Sequence, residues 1–146
     1  MAIASPKQAI LTLVLGLAVA VTPVHAEEQA RPSLSIDLNA LEQVGKSCRL
    51  VFVASNRTGV SIDELSLETV LFNTAGTVDR FALFDFQALP EGKTRVRQFD
   101  LPDVRCGDIG RLLINGTASC RGQALKGTEC MDQLELKSSS GTEIVG

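Results

Sequence analysis

Ser33-Leu34-Ser35-Ile36-Asp37-Leu38-Asn39 places an apolar side chain at every second position, the alternation of a strand with one face on a core and the other in water. After Cys48 the same parity returns. Leu50 and Phe52 alternate with Val51 and Val53, and a stretch so rich in β-branched and aromatic residues predicts a strand covered on both faces. Asn56-Arg57-Thr58-Gly59 ends it in a turn, where Gly59 is able to take a positive φ.

Ser61 to Phe72 fits neither period cleanly. Ser61-Ile62-Asp63-Glu64 has the form of a helix capping box, while Leu65, Leu67, Val70 and Phe72 follow no single spacing. Context decides for a turn leading into a strand, because Asn73-Thr74-Ala75-Gly76 forms a hairpin loop before the aromatic run Val78 to Phe86. Leu89-Pro90-Glu91-Gly92 makes the next turn, and Lys93 to Leu101 is a strand ended by Pro102. Arg111 to Ile114, Leu134 to Lys137 and Thr142 to Val145 are short apolar strands, and Gln123 to Gln133 is the one weak helical candidate. About eight short, regularly punctuated strands predict an all-β fold, an Ig-like two-sheet antiparallel β-sandwich.

The chain has 146 residues, 45% apolar and 21% charged, with 14 Lys plus Arg against 17 Asp plus Glu. That profile fits one folded domain, over residues 33–146. The mildly acidic balance gives no long-range attraction to a phosphate backbone, which argues against a nucleic-acid partner. Residues 1–26 read as a cleaved signal peptide: Lys7 charges its start, Ala9 to Val21 form an apolar run, Pro23 breaks it, and Val24-His25-Ala26 suits a signal peptidase. An apolar run of about 13 residues falls short of the ~20 that span a bilayer. Residues 27–32 form a polar, flexible lead-in, and no stable membrane insertion is expected after cleavage. A periplasmic or secreted location follows.

Cleavage also removes His25, the only histidine. The mature chain then lacks the imidazole of Ser/His/Asp and Cys/His sites and of most zinc, copper and iron centres. No cofactor is implied. The absence of Trp and Tyr removes the rings that sugar and single-strand nucleic-acid surfaces use for stacking. Cys48, Cys106, Cys120 and Cys130 form no C-x-x-C pair, and an even number in an exported domain predicts two disulfides. The favoured pairing is Cys48 with Cys106 and Cys120 with Cys130, each worth roughly 3–4 kcal/mol.

Lys93, Arg95 and Arg97 share one parity along a strand and form a cationic stripe. It suits either an acidic partner or cross-strand pairing with Glu68, Asp79 or Asp85. Phe99 and Leu101 continue that parity, implying a face change or a bulge near Gln98. Asp100, Asp103 and Asp108 cluster around Pro102 as weak calcium candidates, although Asp in a turn usually caps its own backbone. A carboxylate pair such as Asp79 with Asp85 has the residue types of a glycoside-hydrolysis site, but nothing in the sequence fixes their separation. Phe81, Phe84 and Phe86 read as core rather than as a ligand cavity. Asn56-Arg57-Thr58 and Asn115-Gly116-Thr117 match the glycosylation acceptor pattern.

The runs Leu71-Phe72, Val78-Asp79-Arg80, Leu83-Phe84-Asp85-Phe86, Leu89-Pro90, Arg95-Val96-Arg97-Gln98-Phe99-Asp100-Leu101-Pro102 and Leu113-Ile114-Asn115-Gly116 resemble an uncharacterised exported family of alphaproteobacteria, often labelled by a "Tat pathway signal" name. The resemblance spans about residues 33 to 146 and includes the four cysteines. It implies export and brings no activity or functional residues with it. The chain departs from the label in having no Arg-Arg pair in its leader. The reading that follows is a non-catalytic binding or adaptor module whose partner is another envelope protein or an anionic polymer. The alternative is a ligand-binding or calcium-binding protein, or a hydrolase built on carboxylates.

Overall fold

Alternating burial runs along the strands because a pleated backbone sends successive side chains to opposite faces. The computed structural model describes Met1, residues 31–123, Leu125 and residues 129–146, so all of the expected leader but Met1 and most of the lead-in lie outside the described residues. In chain order the strands are β1 (Ser33–Val44), β2 (Ser47–Arg57), β3 (Ile62–Asn73), β4 (Val78–Leu89), β5 (Thr94–Leu101), β6 (Ile109–Arg121), β7 (Leu134–Ser138) and β8 (Glu143–Val145). Of the helical candidate Gln123 to Gln133, position 124 and positions 126–128 lie outside the described residues, and the described part holds one turn, α1 (Glu129–Asp132).

Two four-stranded sheets, ordered β5-β2-β1-β7 and β4-β3-β6-β8, face each other across one core. The expected two-sheet sandwich is therefore the fold, with one correction to strand direction. β7 lies parallel to β1 and β8 parallel to β6, so both sheets are mixed rather than wholly antiparallel. Period-two alternation is the same in either direction, and only the route of the connections settles which one a strand takes.

Leu34, Ile36 and Leu38 of β1 and Leu50, Phe52 and Ala54 of β2 are fully buried on the inner face. Leu65, Leu67 and Leu71 of β3, with Phe84 and Phe86 of β4, meet them from the other sheet. Phe52, Phe84, Phe86 and Phe99 form an aromatic group between the β5–β2 and β4 strands, with contacting ring centroids 4.7 to 5.9 Å apart. β3 is one strand despite its irregular pattern. Its pairing with β4 shifts between Ile62 and Leu65, where the extra residue on β3 moves the inward parity from Ile62 to Leu65, Leu67 and Leu71, while the shifts near Ser66 and Glu68 place the extra residues on β6.

Both disulfides form with the favoured pairing, Cys48–Cys106 and Cys120–Cys130, and no cysteine is free. They sit at opposite ends of the sandwich. Cys48 opens β2 opposite Leu101 at the end of β5, whereas Cys120 pairs with Leu65 near the start of β3.

Candidate binding edge

One buried amide fixes the end of the molecule that carries Lys93. Asn56 is fully buried, and its Nδ2 donates to Val60 O at 2.8 Å and to Leu89 O at 2.7 Å. Its Oδ1 accepts from the Thr58 N–H and from Thr58 Oγ1. Along the main chain, the Asn56 N–H donates to Lys93 O, and the Asn56 carbonyl accepts from the Gly92 N–H. A single side chain thereby ties the end of β2, the loop before β3 and the end of β4, while the backbone adds the start of β5. The hydrogen bonds also carry Arg57 to the same end as Lys93, a neighbour that sequence separation hides. Burial of Asn56 removes the first glycosylation acceptor from use.

β5 pairs with β2 without a register shift from Thr94 to Leu101, so neither a bulge nor a face change occurs near Gln98. The stripe instead lies on the inward side of an edge strand. Arg97 stands opposite Phe52 and Arg95 opposite Ala54, residues that face the core, and both arginines are half-buried. Arg97 crosses to the other sheet, where Nε donates to Phe86 O at 2.8 Å and Nη2 to Ala88 O at 3.4 Å. Arg95 donates only to the carbonyl of Thr94, and Lys93 is exposed in the turn.

None of the three cations has a carboxylate partner among the described residues. The acids expected to neutralise them are occupied elsewhere: Asp79 holds Arg80 at 2.7 Å, and Asp85 Oδ1 accepts from Gln87 N–H. Arg49, Arg105 and Arg121 are each paired, to Asp100, Asp108 and Glu64. Arg49 holds the Asp100 carboxyl below its ordinary range, and Arg121 does the same for Glu64, because an adjacent guanidinium favours the ionised form.

The structure sets Asp100 apart from Asp103 and Asp108 of the calcium candidate. Asp100 lies on β5 in a two-hydrogen-bond pair with Arg49. Asp108 is held by two bonds from Arg105, and Asp103 occupies a left-handed turn position at φ 56°. Asp103 and Asp108 share a cleft of about 200 Å³ with Asp79, Arg80 and Arg105. Among the described residues no group of three or more His, Cys, Asp or Glu is placed to hold a metal ion. Asp79 and Asp85 stand six residues apart on one strand, roughly 20 Å at the usual strand rise. That is twice the ~10 Å limit for two carboxyls that flank a glycosidic bond.

The aromatic run on β4 divides by parity. Phe84 and Phe86 are core, as expected, but Phe81 points to the opposite face and is 76% exposed, with Leu83 beside it at 60%. They border a shallow groove of about 400 Å³ with Glu68, Thr69, Ala82 and Asn115. The odd-numbered position of Phe81 carries this in the sequence, but reading the three phenylalanines as one group hides it.

Among the described residues no helix is long and apolar enough to cross a membrane. Comparison with protein families, with curated proteins and with solved structures gives no match.

Proposed function

We propose that this protein is a non-catalytic, exported binding module that docks an anionic partner along the β4–β5 side of the sandwich. One observation carries the reading: Lys93, Arg95 and Arg97 line that side with no carboxylate to neutralise them among the described residues. Unpaired cations held in a fixed row attract an acidic surface and orient it on approach. Export is supported by the leader-like residues 1–26, by the two disulfides and by the resemblance to an exported family. The partner class is an acidic envelope protein or an anionic cell-wall polymer.

Crosslinking pull-down from an envelope extract tests the reading. Lys93→Glu with Arg95→Glu should remove the main crosslinked species, and raising the salt concentration should weaken its capture by the unmodified protein. Undiminished capture by the double variant would reject the cationic edge. Arg97 is left in place because its loss would also uncover two carbonyls of β4.

A further inference from the structure

Among the described residues β4 has β3 as its one neighbour in the sheet, which leaves its other side an open edge. Its two halves are finished differently. Towards the C-terminal end Arg97 covers Phe86 O and Ala88 O, the Asn56 amide covers Leu89 O, and Asp85 folds back onto Gln87 N–H. From Arg80 to Phe84 the backbone groups on the open side have no partner among the described residues. The pairing with β3 runs without interruption from Asp85 to Arg80, so the bare segment is a regular strand. It is also the segment that exposes Phe81 and Leu83.

We infer that the bare half of β4 is a strand-addition site for an extended polypeptide segment with alternating apolar side chains and an acidic end. The inference rests on the binding reading above and names the kind of partner. The unpaired N–H and C=O groups specify an extended backbone, because only another strand matches their spacing. Phe81 and Leu83 lie two positions apart on one face, so the added strand covers them with apolar side chains at its own alternate positions. Continued towards the C-terminal end of β4, the same segment meets Arg97, Arg95 and Lys93 in turn. Their unneutralised charge selects carboxylates there. In an antiparallel arrangement the acidic residues stand at the N-terminal end of the segment.

Fluorescence anisotropy with a labelled nine-residue peptide, three glutamates followed by alternating valine and threonine, tests this directly. Saturable binding below ~1 mM is expected, weakened about tenfold by Phe81→Lys and by Leu83→Thr, and lost when alternate peptide nitrogens carry methyl groups. Both substituted positions are exposed, and far-UV circular dichroism checks that each variant folds. Absence of saturable binding overturns the inference, as does binding indifferent to N-methylation and to Phe81→Lys. If only Lys93→Glu with Arg95→Glu then weakens the peptide, the cationic edge stands and strand addition falls. Sedimentation of the protein alone supplies the last arm. A concentration-dependent dimer that Phe81→Lys abolishes would assign the edge to a second copy of this chain and overturn the peptide partner.

Discussion

Asn56→Leu keeps the volume of the side chain but leaves Val60 O and Leu89 O without their donor and the Thr58 N–H without its acceptor. The expected loss is about 2–4 kcal/mol in urea denaturation, since each orphaned buried group costs on the order of 1–3 kcal/mol. A loss below that range would mean that water replaces the amide. Asp100 gives a pH-dependent counterpart. Its carboxyl titrates lower in the folded chain than in the unfolded one, so its contribution is present above the unfolded pKa and fades as pH falls through the folded one. Asp100→Asn should remove that contribution at neutral pH, a small loss because the pair is exposed, and the stability curves of variant and parent should converge as pH falls below the ordinary aspartate range. At this scale the sequence is only partly legible. The turn at Gly59 is readable, and its φ of 87° agrees, but nothing local reveals that the preceding asparagine is the buried tie between two sheets.

Strand faces are tested by a matched pair of substitutions on β4. Phe84→Ala removes a buried ring from the aromatic group and should cost about 3–5 kcal/mol. Phe81→Ala, three residues earlier on the outer face, should stay within about 0.5 kcal/mol. Chemical denaturation of both variants checks the assignment, and equal costs would contradict it. The existence of the strands was readable because half-buried β segments carry the period in their own residues. Their irregularities were not, as β3 illustrates: bulges are set by what the neighbouring strands demand, so Ser61 to Phe72 looks ambiguous in isolation. Lys93, Arg95 and Arg97 show the reverse case. Parity correctly places them together, but β5 is an edge strand, and there even the inward side is open enough for arginine stems to run out to water. Which acids would answer them depended on pairing across strands, which no single segment encodes.

Across the molecule, the two disulfides should contribute unequally. Cys48–Cys106 closes a loop of 58 residues and Cys120–Cys130 one of 10, worth about 4 and about 3 kcal/mol respectively if loop entropy dominates. Urea midpoints of the paired variants, Cys48→Ala with Cys106→Ala and Cys120→Ala with Cys130→Ala, should fall in that order, helped by the complete burial of Cys48. The reverse order would assign the larger share to the short loop. The pairing itself was open to choice in the sequence, where four cysteines allow three connectivities, and only the folded ends of β2 and β6 select one. That closure has a consequence for digestion. The Asn56–Val60 loop, the Thr74–Gly76 turn and the Pro90–Lys93 turn all fall between Cys48 and Cys106, so a protease that cuts any of them leaves both pieces covalently joined, and they migrate apart on a gel only after a reductant is added.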